Sequence, residues 1–243
     1  AEYNKMYDSY VSIFERCGVP VIAVEASGGA IGGKETKEFM LLSDAGEDSI
    51  LLCPKCGYAA NQEIADFRLV VAEPAESLRE MRTVDTPEAH TVEQVCEFLN
   101  CEPSRLVKTL IYMADGKPVA ALVRGDRELN EGRFRVLIGA ARLEMATPAE
   151  ILLATGGPVG FSGPVGLDIP IYGDEELRGM VNFVTGANEE DKHLVDVNWT
   201  DVEQTVNWAR LRFAVAGDVC EKCGEPFEEK RGMELGHIFK LRY

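Results

Sequence analysis

The chain lacks several features that would assign it to a familiar class at once. No apolar run approaches the roughly 20 residues that a membrane span needs, and the first residues, AEYNKMYDSY, lack the basic-then-apolar layout of a signal peptide. There are only three histidines, and there is no P-loop, no HExxH helix and no Ser/His/Asp arrangement. We therefore expect a cytoplasmic protein without a membrane partner, and any hydrolysis would use a positioned water molecule.

Basic residues are also scarce, because the formal net charge is −16. Such a charge is unfavourable for nonspecific binding to a polyanion. The balance is uneven: eight lysines and arginines stand against four acids between Arg105 and Arg142, so that this window is net +4. A nucleic-acid partner would have to be met locally or be held by another part of a larger protein. The alternative is a solvated surface of mixed charge.

Four of the seven cysteines form two CxxC pairs, and a glycine follows each pair. In a chain without secretory features, such pairs indicate a metal site rather than disulfides. The glycine lets the turn present both sulfurs and point backbone amides at them. The sequence therefore predicts one structural zinc site, with two vestigial turns as the alternative. Its ligands would be Cys53, Cys56, Cys220 and Cys223.

Local patterns predict interleaved helices and strands. An apolar period near 3.6 predicts a helix over Asn4–Cys17, and a capping-box pattern at Thr91 predicts a second one. The best hairpin has an Asp-Gly turn between two apolar strands. Its strands would be Leu106–Met113 and Val119–Val123. Further helices are expected over Glu128–Ile138 and from Thr147 to Ala154, and a late strand over Leu211–Val215.

This interleaving of helices and strands predicts a mixed α/β unit that is inserted into a second, antiparallel unit. A length of 243 residues suffices for two such domains. The expected boundaries give an N-terminal segment over 1–65, an inserted domain over 66–206 and a C-terminal segment over 207–243. The two cysteine pairs would then bracket the inserted domain.

The segment Gly156–Pro164, GGPVGFSGP, is the strongest candidate for a ligand contact. Four glycines and two prolines in nine residues exclude a helix or a central strand. Glycines would let backbone N–H groups approach a substrate, and prolines would hold the loop open beforehand. A plain surface connection is the alternative.

Three titratable side chains could take part in chemistry. Lys108 lies inside an apolar strand, where it needs an anionic partner or a ligand phosphate unless it snorkels to solvent. His193 starts a strand after the run GANEEDK, although a lone histidine is more often structural. Asp174 begins a short helix, and the alternative to a chemical role is that it merely caps this helix.

Several motifs, in order, resemble the bacterial prolyl-tRNA synthetase family. YNKMYDSYVSIFERCG, AIGG and CPKCGYAAN are similar to its catalytic core, as is GMELGHIFKL near the end. VKTL, ELNE, GFSGP and GANEEDKH between them resemble the editing domain inserted in that enzyme, which is related to free-standing YbaK-like deacylases. The segments that bind ATP in class II synthetases are not recognised. The resemblance therefore implies an internal fragment of the enzyme.

The resemblance implies a YbaK-like editing domain, with a mixed sheet or barrel and surrounding helices, inserted into part of a class II antiparallel core. The implied activity is hydrolysis of mischarged alanyl-tRNA(Pro), with the tRNA 3′ end and the remainder of the synthetase as partners. ATP and Mg²⁺ would be needed only by the complete synthetase, which would be a homodimer. The competing hypothesis is a zinc-stapled RNA-binding or scaffold module without catalysis.

The resemblance also implies roles for single residues. Lys108, Asp174 and His193 match the family's lysine, acidic and histidine positions and are expected to be catalytic. Gly160 and Pro164 match the ends of its GxxxP loop, and Gly186 and Asn188 belong to its Gly-x-Asn turn. The expected substrate contacts are Gly160, Phe161, Ser162, Gly163, Pro164, Gly186 and Asn188.

Overall fold

The computed structural model describes residues 2–28, 36–71 and 76–240. The chain forms two compact units. Residues 1–69 with 213–243 are called the barrel unit here, and residues 70–212 the inserted unit. None of the helices in the described ranges is long and apolar enough to cross a bilayer.

The chain contains these helices and strands. The helices are α1 (Glu2–Arg16), α2 (Val92–Leu99), α3 (Glu131–Ile138) and α4 (Pro148–Thr155). The strands are β1 (Val21–Glu25), β2 (Thr36–Leu42), β3 (Asp48–Leu52), β4 (Ala59–Asn61), β5 (Phe67–Arg68), β6 (Arg82–Asp85), β7 (Val107–Ala114), β8 (Lys117–Arg124), β9 (Leu143–Met145), β10 (Ile171–Asp174), β11 (Phe183–Gly186), β12 (Lys192–Val197), β13 (Val206–Ala209), β14 (Val219–Cys220) and β15 (Glu228–Phe239). Short 3₁₀ turns lie at Pro103–Arg105, Glu175–Gly179 and Trp199–Asp201.

Five strands of the barrel unit close into a barrel, in the order β1-β2-β15-β3-β4. Every neighbouring pair is antiparallel except the closing contact of β1 with β4, where Glu25 lies beside Ala60. Val24, Met40 and Ile50 are fully buried and form one apolar cluster. The expected antiparallel sheet is therefore present, closed on itself.

Helix α1 packs its aromatic side chains on strand β2. The rings of Tyr7, Tyr10 and Phe14 lie 5.1 to 5.7 Å from the ring of Phe39, which is fully buried. Strand β15 is irregular beneath Tyr10, and a Cβ at Gly236 would lie only 2.8 Å from that ring. Glycine at this position therefore permits the close approach of the helix.

The inserted unit contains a five-stranded sheet, β13-β10-β8-β7-β9, and a three-stranded sheet, β11-β12-β6. A parallel bridge between Leu106 and Val184 lies beside the start of β7. Val107, Ile171 and Phe183 come from both sheets and are fully buried in one core cluster. The mixed α/β architecture is confirmed for this unit.

Local sequence signals account for the elements that border the cavity described below. Asp115 and Gly116 both adopt positive φ in the β7–β8 turn, as a type I′ hairpin requires. Capping boxes at Thr91 and Thr147 start α2 and α4. Helix α4 ends at Gly156 in the left-handed conformation, where the glycine-rich loop begins.

Two expected elements differ from the structure. The helix expected over Glu128–Ile138 begins at Glu131, because the Asn130 side chain accepts a hydrogen bond from the Arg133 N–H and caps it. The strand expected over Leu211–Val215 does not form, since the first N–H groups of that segment donate to a side chain instead. The expected loop Ser27–Gly33 and the linker at 73–76 lie mostly outside the described residues.

Phe183→Ala should destabilise the inserted unit by about 3–5 kcal/mol, because it leaves a cavity in the core. Phe183 is fully buried, and its ring centroid lies 4.7 Å from that of Trp199, which packs against Trp208. Urea unfolding followed by tryptophan fluorescence measures the loss. Leu153→Ala, at an 88% exposed position of α4, should change stability by less than about 0.5 kcal/mol. Equal midpoints for the two variants would contradict this packing.

Candidate active site

A cavity of about 310 Å³ lies in the inserted unit. Its wall is formed by the start of α2, strand β7, the loop after α4 and the facing ends of β11 and β12. Five of the expected site residues line it: Lys108, Gly160, Ser162, Gly186 and His193. Apolar side chains, including Val107, Ile111 and Ile151, supply much of the remaining wall.

The two glycine-bearing motifs, about thirty residues apart in sequence, pack directly on each other. A Cβ at Gly163 would overlap the carbonyl oxygen of Gly186, and a Cβ at Gly186 would overlap the carbonyl groups of Phe161 and Ser162. Gly160 has a φ of +95° and lies against the backbone of His90. Close backbone approach therefore explains the glycines, and it fixes the shape of this cavity wall.

Asn188 fixes the loop through side-chain and backbone hydrogen bonds. Its Oδ1 accepts from the Gly163 N–H at 2.8 Å, and its Nδ2 donates to the carbonyl oxygens of Gly163 (3.1 Å) and Val165 (2.9 Å). Its backbone N–H donates to the Phe161 carbonyl at 2.8 Å. Asn188 is in the left-handed region with φ 56°, which asparagine tolerates well. Asn188 is thus placed to position the loop, and neither it nor Pro164 is among the lining residues.

His193 is a buried histidine at the start of β12. Its Nδ1 lies 2.7 Å from the Thr86 hydroxyl, and the Phe161 ring lies between the rings of His193 and His90, with centroids 5.5 and 5.2 Å away. Burial lowers the pKa of His193 to about 4, and the nearby His90 acts in the same direction. The imidazole is therefore neutral at pH 7, and Nε2 is the nitrogen left for a ligand.

Lys108 borders the cavity and has an anionic partner. Its Nζ donates to Glu128 Oε1 at 2.8 Å. The lysine side chain is 17% exposed, whereas that of Glu128 is 78% exposed. A lysine inside an apolar strand needs an anionic partner or a ligand phosphate, and the structure supplies an exposed carboxylate.

Asp174 does not line the cavity. It is 1% exposed, and its carboxylate accepts from three backbone N–H groups: those of Glu176 (3.0 Å), Leu211 (2.7 Å) and Arg212 (3.0 Å). These bonds cap the 3₁₀ turn at Glu175–Gly179 and hold the segment where a strand was expected. The geometry fits the capping alternative rather than contact with a substrate.

Sequence reasoning missed three polar side chains of the cavity wall, His90, Thr109 and Thr91, the last of which was expected only as a helix cap. His90 directly precedes the capping box of α2, and its backbone N–H donates to Gln94 Oε1 at 2.9 Å. Thr109 follows Lys108 in an otherwise apolar strand, where one threonine attracts little notice. In the sequence, these residues are marked only by their positions beside the predicted helix α2 and beside Lys108.

The four cysteines of the two CxxC pairs come together in the barrel unit. Cys53 Sγ lies 3.3 Å from Cys223 Sγ, and Cys56 Sγ lies 3.7 Å from Cys220 Sγ. All four sulfurs lie within 4.8 Å of one another, and all seven cysteines are free thiols. Tetrahedral zinc thiolates place sulfurs about 4 Å apart. The predicted cluster is confirmed as a group that could hold a metal, and its all-sulfur donor set fits zinc.

The two turns have the same backbone geometry. Gly57 N–H donates to the Cys53 carbonyl at 3.1 Å, and Gly224 N–H donates to the Cys220 carbonyl at 2.9 Å. Both glycines are left-handed, with φ of 71° and 79°. This repeated turn is the reason for a glycine after each pair.

A second group in the barrel unit could also hold a cation. Glu38, Glu234 and His237 place one ligand atom each within 4.8 Å of one another. An irregularity in β15 between Glu234 and Gly236 puts Glu234 opposite Met40 and His237 opposite Glu38, so that all point to one face. Burial, with the charges of Glu234 and Asp48 nearby, raises the pKa of Glu38 to about 7.

Removing the metal should destabilise the barrel unit and spare the inserted unit. With four thiolates the site has no position for water, so its contribution is to folding. We expect one zinc per chain by elemental analysis, lost in Cys220→Ser but kept in Cys17→Ser, whose cysteine is exposed and outside the cluster. A chelator should lower the melting temperature followed by tyrosine absorbance in the wild type. Zinc retained by Cys220→Ser would contradict the site.

The neutral state of His193 should make the inserted unit sensitive to acid. Between pH 6.5 and about 4 the unfolded chain binds a proton at His193 that the folded chain does not, so stability falls as the pH falls through this window. Melting followed by tryptophan fluorescence from pH 4 to 8 measures this. In His193→Gln the slope should be shallower, and an unchanged slope would show that other groups set it.

Comparison with known proteins finds a family model that matches the inserted unit and relatives that match nearly the whole chain. Residues 86–204 match the model of the aminoacyl-tRNA editing domain. Proline–tRNA ligase of Geobacter metallireducens is 50% identical over 240 residues, and that of Caldicellulosiruptor saccharolyticus is 48% identical over 240. Each match covers 98% of this chain and 42% of the relative, so the chain spans less than half the length of these enzymes.

A solved structure described as a putative trans-editing enzyme for prolyl tRNA synthetase is 24% identical, with a TM-score of 0.48 over 55% of this chain and 87% of its own. The family match and the sequence relatives confirm the predicted resemblance. The chain therefore matches a segment of the bacterial proline–tRNA ligases over 98% of its length, and its residues 86–204 match the aminoacyl-tRNA editing domain.

Proposed function

We propose that the cavity of the inserted unit hydrolyses the ester bond of mischarged alanyl-tRNA(Pro). One observation carries the proposal. Lys108, the glycine-rich loop and the neutral His193 border a single cavity within the residues that match the editing domain. The three features supply a cation, close backbone groups and a hydrogen-bond acceptor, which are what water attack on an ester needs.

Lys108 would bind a phosphate near the 3′ end of the tRNA. Its present partner, Glu128, is mostly exposed, and exposed ion pairs contribute only about 0–1 kcal/mol. A phosphate can therefore replace Glu128 at little cost. Once bound, the phosphate would orient the terminal adenosine so that the aminoacyl ester enters the cavity.

The loop and His193 would act on the aminoacyl group. Gly160 and Ser162 line the cavity, so that a backbone group and a hydroxyl would lie beside the ester carbonyl. Neutral His193, with Nδ1 engaged by Thr86, would accept a hydrogen bond from the attacking water at Nε2. Water adds to the carbonyl carbon, the ester C–O bond breaks, and the ribose oxygen leaves with a proton. Asp174, Asn188, Gly163 and Pro164 would only position these groups.

A separate hydrolytic site can distinguish alanine from proline by size, which a proline pocket does poorly. A pocket for proline rejects alanine by only about 1–3 kcal/mol per lost methylene. A pocket built for alanine can exclude the proline ring by steric clash. Here the excluding wall would be the loop, because its contact with Gly186 and the side chain of Asn188 leave it little room to move.

The partners follow from the same proposal. The tRNA(Pro) 3′ end would enter the cavity, and the remainder of the synthetase would hold the rest of the tRNA. ATP and Mg²⁺, the class II core to which the barrel unit would belong, the homodimer and the cytoplasmic location remain predictions for the complete enzyme.

The wild-type chain should release alanine from alanyl-tRNA(Pro) and spare prolyl-tRNA(Pro). Lys108→Ala should lower kcat/KM for the alanyl substrate by about 10- to 100-fold, the equivalent of one charge-assisted hydrogen bond. Filter assays with labelled amino acid measure both. Lys117→Ala, at the exposed first residue of β8, is the matched control and should stay within about twofold of wild type.

Equal turnover of both substrates, or turnover of neither, would refute the proposal. If the wild type binds tRNA without releasing alanine and Lys108→Ala weakens only that binding, the chain is the RNA-binding module considered above.

A further inference from the structure

Thr109 has a buried hydroxyl for which the protein provides no hydrogen bond. The residue is 9% exposed, and its Oγ1 has no partner among the described residues. Leaving a buried hydroxyl unpaired is unfavourable, because the group loses its hydrogen bonds to water without replacing them. Native proteins seldom keep such a group without a reason, and one reason is a ligand.

The direction of the side chain places this hydroxyl on the cavity side of β7. Side chains alternate along a strand, so Thr109 shares a face with Val107 and Ile111. Those two residues belong to the core cluster that borders the cavity, together with Ile151. Tyr112, on the other face, packs in a different cluster and is not among the lining residues.

The neighbouring threonines are all engaged. The Thr86 hydroxyl pairs with His193, that of Thr91 accepts from the Gln94 N–H, and that of Thr185 donates to the Val107 carbonyl at 2.8 Å. Thr109 differs from them in lining the cavity without a partner. The Thr109 hydroxyl on the cavity wall is therefore available to form a hydrogen bond with a ligand.

We propose that Thr109 Oγ1 binds the α-ammonium group of the aminoacyl ester and is a specificity-determining contact of the site. This inference rests on the proposed function. An ammonium group has only hydrogen-bond donors and needs acceptors. No carboxylate lines the cavity among the described residues, Thr91 Oγ1 already accepts from a backbone N–H, and His193 Nδ1 is engaged. Thr109 therefore supplies a buried acceptor that remains available.

The contact would select a charged amino acid ester over an ester without the amine. A site with a buried polar group discriminates strongly against a ligand that fails to pair with it, because that group then stays unsatisfied. Val107 and Ile111, on the same face, would pack against the small aminoacyl side chain.

The test uses two stable analogues and the full chain. In 3′-(alanylamino)-3′-deoxyadenosine an amide replaces the ester and the ammonium is kept, whereas the 3′-propionylamino analogue lacks the amine. Affinities are measured by calorimetry for wild type, Thr109→Val and Thr109→Ser. Thr109→Val should weaken the alanyl analogue by about tenfold and change the propionyl analogue less than about twofold. Thr109→Ser, which keeps the hydroxyl, should stay within about threefold for both.

A stability measurement separates this role from a structural one. Because the hydroxyl has no protein partner, Thr109→Val should melt at the same temperature as wild type or higher. A lower melting temperature for Thr109→Val than for Thr109→Ser would mean that the fold uses the hydroxyl, and it would overturn the inference. Equal weakening of both analogues, no weakening of either, or failure of the wild type to bind the alanyl analogue would overturn it as well.

The binding measurements do not depend on whether the chain releases alanine from alanyl-tRNA(Pro). If Thr109→Val leaves binding unchanged while the wild type still releases alanine from alanyl-tRNA(Pro), the proposed function stands and the Thr109 contact falls. If the selective loss of binding is found in a chain that releases no alanine, the contact stands and the hydrolytic function falls.

Discussion

The contact between the glycine-rich loop and the turn after β11 is the constraint on which the candidate site depends. Gly163 and Gly186 approach so closely that a Cβ on either would overlap the other segment, and the Asn188 side chain adds two hydrogen bonds to Gly163 and one to Val165, just after the loop. The same loop places Phe161 between His90 and His193. Backbone packing therefore sets the cavity wall and the position of the buried imidazole together.

Local signals made part of this structure predictable. The Asp115-Gly116 turn and the capping boxes of α2 and α4 depend on residues within a few positions of one another, and they appear as expected. Each CxxC turn with its glycine is likewise a local pattern. These are short-range rules of backbone geometry, whereas the joining of the two cysteine pairs was inferred from the four ligands that zinc requires.

Non-local packing decided what could not be predicted. Strand β15, with the sequence EEKRGMELGHIF, shows no regular alternation, and its course follows from pairing with β2 and β3 and from the close approach of Tyr10 at Gly236. The segment after Ala209 reads as a strand, yet the buried Asp174 carboxylate captures its N–H groups. The unpaired hydroxyl of Thr109 likewise becomes visible only when its surroundings are known.

The ion pairs of the inserted unit leave little open positive charge for binding a nucleic acid. The basic window from Arg105 to Arg142 is not an open positive patch, because its side chains are largely paired: Arg105 with Glu76, Arg124 with Asp126, and Arg142 with Glu144. Long-range attraction of a phosphate backbone is therefore weak. Lys108 differs in bordering the cavity while its partner carboxylate stays in solvent. Under the proposed function, recognition at this surface would depend on the Lys108–Glu128 pair beside the cavity, and affinity for the remainder of a tRNA would have to come from other parts of a longer enzyme.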